Sequence, residues 1–250
     1  AMPKVNIRPL IEVAVADLDD AIVAEQCGAD RLELNSGMPL GGLTPSIGLV
    51  QEVVAAVRIP VVVMVRPRPG GFCYSARQHQ TALRDAEAIL SAGAAGIVWG
   101  ALNANRDIDQ PKVIDMKSLV DNKELVFHRA IDLARDWRAS LEALVDLRVD
   151  RILSSGQQSS AIQGVDCLKA MVQAFDRRME LIVGGGVRVA TIPMLYAAGL
   201  RQFHGTFSQA VDDPGYENAR FRFAENDQLR CIDTPELRSA RTCLDHLSSE

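Results

Sequence analysis

Residues 31–66 read RLELNSGMPLGGLTPSIGLVQEVVAAVRIPVVVMVR, and this one stretch holds the repeating unit of the fold. RLELN (31–35) is a short β-rich run. TPSIGLVQEVVAAV (44–57) spaces its apolar residues three and four apart, as one face of a helix requires, and VVVMVR (61–66) is β-rich again. Strand, helix and strand in that order predict two parallel strands joined by a helical crossover.

The same alternation runs outward in both directions. Further β-rich runs stand at IEVAV (11–15), GIVWG (96–100), LVFHR (125–129), RILSS (151–155), LIVGGG (181–186) and QFHG (202–205). Helical patterns separate them, among them DLDDAIVAEQCGA (17–29), ARQHQTALRDAEAILSAGA (76–94) and DWRASLEALVDL (136–147). Several helices run into a glycine before the next strand (CGAD, SAGAAG, AAGL), as a left-handed cap demands. Eight such units predict a closed (β/α)8 TIM barrel, a single domain over residues 1–250 with its core at about 11–205. A doubly wound open sheet is the rival, but no GxGxxG follows the first strand and no break in composition divides the chain. Residues 206–235 fit neither period and form an excursion before a C-terminal helix at 236–248. That excursion is a plain surface segment or a lid or dimer arm anchored by Tyr216, Phe221 and Phe223.

The chain has 250 residues, 48% of them apolar, and a formal net charge of −5. The mild acidity argues against nucleic acid or an anionic membrane as the main partner, since both call for a basic surface. No apolar run is long enough to span a bilayer, and AMPKVNIRP at the start has no secretory apolar region. Cys27, Cys73, Cys167, Cys231 and Cys243 are scattered without a CxxC pair, which suits a reducing cytoplasm better than a disulfide framework.

Barrel active sites sit at the C-terminal ends of the strands. In RLELN, Leu32 and Leu34 face the helices, which turns Glu33 and Asn35 into the barrel. By the same parity Glu12 shares a face with Ala14, Arg66 with Met64, and His128 with Val126; Arg129 points outward unless its strand has already ended. Glu12, Glu33, Arg66 and His128 therefore converge on one interior. Buried charges are costly unless paired, so they form either a neutralising Glu–Arg network or a site for an anionic ligand. Arg68, Tyr74, Asp132, Ser154, Ser155 and His204 are expected above them.

Two loops suit an anion. VRPRPGGF (65–72) sets Arg66 and Arg68 beside paired glycines, and arginine grips carboxylate or phosphate through two parallel hydrogen bonds. IVGGGV (182–187) ends its strand in Gly184, Gly185 and Gly186, where bare backbone N–H groups can approach a ligand closely. Glu33 and His128 are the candidate general acid and base, with Asp132 as the carboxylate that orients the imidazole. No Lys stands at a strand end, which disfavours a Schiff-base aldolase, and no HExxH points to hydrolytic zinc.

LGGLTPS (40–46), VMVRPRPGGFCYS (63–75), VFHRAID (126–132), ILSSGQ (152–157) and GGGV (184–187), in that order and spacing, resemble the CutC family, the so-called copper homeostasis proteins. The resemblance runs from about residue 11 to about residue 208. It implies a cytoplasmic barrel, often a homodimer, with a role in copper handling, and its motif takes in Arg129 beside the residues above. Many members read ELC where this chain reads ELN, so Asn35 stands in place of a thiol. Copper(I) prefers soft ligands, which leaves Cys73 and Met64 as candidates, with His128 or His204 as imidazole partners. Cys27 belongs to the opposite end of the barrel, and Cys167 to helix packing. Three functions stay open: a copper-handling protein, a barrel enzyme acting on a small phosphorylated or carboxylated metabolite, and a non-catalytic sensor of such an anion.

Overall fold

A computed structural model describes residues 8–175, 178–213 and 228–249. Eight parallel strands close into a barrel in chain order. They are β1 (Leu10–Val15), β2 (Arg31–Leu34), β3 (Val61–Met64), β4 (Gly96–Trp99), β5 (Glu124–Phe127), β6 (Arg151–Ser154), β7 (Glu180–Val183) and β8 (Gln202–Gly205). Helices α1 (Leu18–Gln26), α2 (Ile47–Ala56), α3 (Ala76–Ser91), α4 (Gln110–Val120), α5 (Trp137–Asp146), α6 (Val165–Phe175) and α7 (Ile192–Ala197) follow strands one to seven, and α8 (Thr234–Leu247) ends the chain. The barrel predicted from the alternation is the fold observed.

Local chemistry sets the boundaries. Ser46 accepts from the Leu49 N–H at the start of α2, and Ser75 with Gln78 forms a reciprocal capping box on α3. The expected glycines after α1, α3 and α7 have φ of 93°, 99° and 101°, the left-handed stop that a side chain would oppose.

Each strand buries both faces, as a parallel sheet requires. Outward residues such as Ile11, Val13, Leu32, Leu34, Trp99 and Phe127 pack on the helices. Val62, Met64, Val98, Val126, Leu153 and Ile182 form a separate cluster inside the barrel. The two clusters reproduce the period-two parity read from the strands, including Met64 and Val126 on the interior face with Arg66 and His128 beyond them.

The strands end earlier than the apolar runs suggested. The strand in LVFHR ends at Phe127, that in VVVMVR at Met64 and that in LIVGGG at Val183, each with one more backbone N–H bonded to the neighbouring chain segment. Beyond β8, Ser208–Ala210 (β9) pairs antiparallel with Arg230–Ile232 (β10). Tyr216, Phe221 and Phe223, the proposed anchors of a lid or arm, lie outside the described residues. No described helix is long and apolar enough to cross a membrane.

Candidate functional site

The interior carries more charge than parity at the mouth revealed. At the N-terminal end of the barrel, Arg31 pairs with Glu12 at 2.6 Å and with Glu124 at 2.7 Å. Glu124 meets Arg151 at 2.7 Å, and Arg151 bonds Glu180. Gln202 Nε2 donates to the same Glu180 carboxylate at 2.8 Å. This floor is the neutralising Glu–Arg network anticipated as one reading, but its arginines are Arg31 and Arg151. Arg66 has no part in it. Arg31, Glu124, Arg151 and Glu180 share the inward parity of Glu12 and Glu33 and could have been found by extending that parity to the first residue of each strand.

The network continues upward. His204 Nδ1 lies 2.7 Å from Glu12 Oε1 and 4.0 Å from Glu33 Oε2. Burial would push the Glu12 carboxyl up, yet Arg31 and His204 outweigh it and hold it low. Glu33 goes the other way: burial raises its carboxyl, and the neighbouring Glu12 charge adds to the rise against the pull of His204. Burial opposes a charge on His204, but Glu33 and Glu12 overcome it and hold the imidazolium. Asn35 Nδ2 donates to Glu33 Oε1 at 2.9 Å, leaving Oε2 without a hydrogen-bond partner. A Cβ on Gly42 would come within 2.5 Å of Asn35 Oδ1, so that loop must be bare for the amide to sit there.

His128 stands on the opposite side of the barrel, just past β5, at the start of a single 3-10 turn (Arg129–Leu133). The Ala130 N–H donates to His128 Nδ1 at 3.2 Å. A nitrogen that accepts from an N–H cannot carry a proton itself, so the ring's proton resides on Nε2. That atom is buried and unpartnered. Burial, then the nearby Arg66, lowers the imidazole pKa to about 3, so His128 is neutral at physiological pH. Gly100 makes the position available, since a Cβ there would lie 2.7 Å from His128 Nδ1.

Arg129 was expected to point outward unless the strand had ended, and the strand has ended. Its guanidinium donates to Asp132 at 2.9 Å and to Ser155 Oγ at 2.5 Å. Asp132 was expected to orient His128 and does not. Its carboxylate instead accepts from Ser154 Oγ, the Ser155 N–H and hydroxyl, and the Gln157 N–H. Asp132, Ser154 and Ser155 therefore brace the loops after β5 and β6, and they hold Arg129 in place.

Arg66 and Arg68 also depart from their expected roles. Arg66 donates to the carbonyls of Leu40, Gly42 and Gly70, tying the loop after β2 to the loop after β3. Arg68 wraps the carbonyls of Pro69, Gly71 and Cys73 within its own exposed loop. Two arginines read as anion grips are thus mainly loop clamps, because backbone carbonyls compete for the same donors. Tyr74 is buried with its ring stacked on Trp99 at 6.5 Å and beneath the Arg68 guanidinium, and it does not line the cavity at the mouth.

Between these walls lies a cavity of about 300 Å³ at the C-terminal mouth, lined by Glu33, Asn35, Met64, Arg66, His128, Arg129 and His204 with the Gly185–Gly186 backbone. Met38, Phe72 and Arg188, which the motif reading passed over, also line it. Gly185 and Gly186 have φ of 97° and 80°, and no described residue accepts from either N–H. Gly184 sits just behind: a Cβ there would press on Leu153 at 2.7 Å and on His204 at 3.1 Å.

The donor set offers copper(I) little. Cys73 is exposed and does not line the cavity, and neither does any other cysteine. His128 Nε2 holds a proton and His204 Nδ1 is taken by Glu12. Met38 and Met64 remain, two thioethers without a thiolate, a poor fit to the soft-ligand set expected. Glu12, Glu33 and His204 could offer three ligand atoms within 4.8 Å of one another, but Arg31 and the imidazolium already supply that cluster's positive charge.

Fold and site together define a (β/α)8-barrel protein with a small polar cavity at its C-terminal mouth. The chain belongs to the CutC family, whose model matches residues 9–209. It is 37% identical over 235 residues to a CutC protein from Pectobacterium atrosepticum, covering 94% of this chain and 90% of that one. It is 36% identical over 223 residues to the human copper homeostasis protein cutC homolog, covering 89% of this chain and 81% of the relative. The crystal structure of CutC from Streptococcus agalactiae superposes with a TM-score of 0.76 at 30% identity, over 79% of this chain and 98% of that one. KGPDC from Streptococcus mutans shares the fold alone, with a TM-score of 0.62 at 14% identity over 96% of this chain and 99% of that one.

Proposed function

We propose that this protein binds a small anionic metabolite in the barrel mouth and acts on it by acid–base chemistry, with Glu33 as the proton-transfer group. One observation carries the reading. Glu33 Oε2, Asn35 Oδ1 and His128 Nε2 are buried, belong to residues lining one cavity, and have no hydrogen-bond partner. Native proteins rarely leave buried polar atoms unpaired, because each costs about 1–3 kcal/mol, and three of them on residues that line one cavity favour a ligand there. Arg188, Arg129 and the Gly185–Gly186 N–H groups supply the positive wall for a phosphate or carboxylate. A carboxyl held above its ordinary pKa by burial suits a group that must both take and give a proton. The five unpaired cysteines fit a reducing compartment such as the cytoplasm.

Isothermal titration with inorganic phosphate tests the mouth. Arg188→Ala should weaken binding at least about tenfold, the worth of one charge-assisted hydrogen bond. Equal affinity in the variant would place the anion elsewhere.

A copper-handling role, after the name of the human relative, is the second reading, and the Met38 and Met64 thioethers in the cavity favour it. Competition against a Cu(I) chelator decides it. With no thiol in the cavity, Cu(I) should bind weakly, and Asn35→Cys should tighten it. Tight stoichiometric binding by the unaltered chain would establish copper as the ligand.

A further inference from the structure

The mouth has a second property that bears on which anion it takes. Building on the mouth as the anion site, we propose that its substrate carries a carbonyl group beside its anionic group. His128 is then the neutral hydrogen-bond donor that stabilises the enolate oxygen when Glu33 removes a proton from the adjacent carbon.

Geometry carries this assignment. The ring is fixed by three neighbours. The Ala130 N–H holds Nδ1 as an acceptor, Phe72 packs on the ring at 4.6 Å between centroids, and bare Gly100 gives it room. Nε2–H is therefore a buried donor with nothing to donate to. A carboxylate or phosphate alone does not need such a group, because the arginines and glycine amides already meet it. A neutral N–H matches an oxygen that is weakly basic as a carbonyl and strongly basic as an enolate, so its hydrogen bond strengthens as the reaction proceeds. An imidazolium would instead bind the ground-state anion and give up its proton to the enolate. A neutral imidazole set against a carboxyl base is an arrangement suited to proton abstraction next to a carbonyl.

Glu33, from β2, lines the same cavity, with Oε2 unpartnered. In the step, Glu33 as carboxylate takes the proton from the carbon next to C=O. The C–H electron pair becomes the C=C bond, and the carbonyl π pair moves onto oxygen, where the Nε2–H bond holds it. Return of a proton from the Glu33 carboxyl to that carbon regenerates the carbonyl compound and both groups, so the balanced event is exchange of the C–H proton with no co-reactant consumed. The cavity, at about 300 Å³, lies at the lower end of ligand-pocket sizes, which fits a short-chain oxo acid or its phosphate.

Oxalate is the probe, because its adjacent planar oxygens imitate an enolate beside a carboxylate. Its affinity and that of inorganic phosphate are measured by isothermal titration on the full chain, on His128→Phe and on His128→Gln. Nitrogen-15 spectra report the His128 ring. The expected result is a neutral Nε2–H ring from pH 5 to 8 whose N–H resonance moves downfield with oxalate. Oxalate affinity should fall about a hundredfold in His128→Phe and within about tenfold in His128→Gln, whose amide still donates, while phosphate affinity holds. A charged ring at neutral pH would overturn the proposal, as would oxalate binding indifferent to both substitutions. Should His128→Phe fail to fold, the Gln variant and the ring spectrum decide alone. Failure of phosphate to bind the unaltered chain would instead overturn the assignment of the mouth as an anion site.

Discussion

The floor and the mouth of this barrel hold the same kinds of residue and treat them in opposite ways. On the floor, Arg31, Glu124, Arg151 and Glu180 meet charge with charge in one chain of ion pairs. At the mouth, Glu33 and His128 are buried, at 3% exposure each, and each keeps one polar atom without a hydrogen-bond partner. A buried charge that is paired serves the fold. Under the proposed anion site, the open atoms of Glu33 and His128 are kept for a ligand. His204 joins the two regions, bonded to Glu12 from the floor network and close to Glu33 in the mouth.

The largest expected effect breaks the floor. Arg31→Met removes the cation shared by Glu12 and Glu124 and leaves Glu12 with His204 and Glu124 with Arg151, which should cost about 3 kcal/mol of unfolding free energy in urea. Phosphate affinity of the folded fraction should stay near that of the unaltered chain. A loss below about 1 kcal/mol would mean that water, rather than arginine, solvates the floor.

Gly100→Ala strikes the mouth from behind. Its new Cβ would lie 2.7 Å from His128 Nδ1, so the ring or the strand end must shift, at about 1–3 kcal/mol. Oxalate binding should suffer more than phosphate binding. Retained oxalate affinity in the folded fraction alongside a loss of stability would show His128 to be a packing residue.

A pH signature separates the two histidines. His128 stays neutral when folded down to about pH 3, whereas an unfolded histidine protonates near pH 6.5. Between these values the unfolded chain binds the extra proton, so stability from this group is present above about pH 6.5 and is lost as pH falls towards 3. His204 is raised, so its contribution is present below about 6.5 and is lost as pH rises through its folded value. Urea midpoints across pH should therefore flatten on the acid side in His128→Gln and on the neutral-to-alkaline side in His204→Gln. Identical profiles in the two variants would erase the distinction drawn between floor and mouth.

Cys73→Ser should do least. The thiol is exposed and outside the cavity, so stability should change by less than about 0.5 kcal/mol, and Cu(I) affinity should not change. A clear drop in Cu(I) affinity would return the metal to the loop after β3.

Much was legible in the chain alone. The alternation of β-rich and helical runs determined the barrel, and period-two parity placed Glu12, Glu33, Asn35, Arg66 and His128 on the interior side. Both are local properties: which way a side chain faces follows from its own strand. What a side chain meets does not. Arg31 finds Glu124 from 93 positions away, and only closure of the barrel brings the two within bonding distance. Arg66 turned to three carbonyls and Asp132 to two serines because donors and acceptors go to whatever folding brings closest, and two loops of unknown path offered those partners first. The proton on His128 Nε2 was the least legible of all. It depends on one backbone N–H from a 3-10 turn, which closes only after β5 has ended and the loops around it have packed.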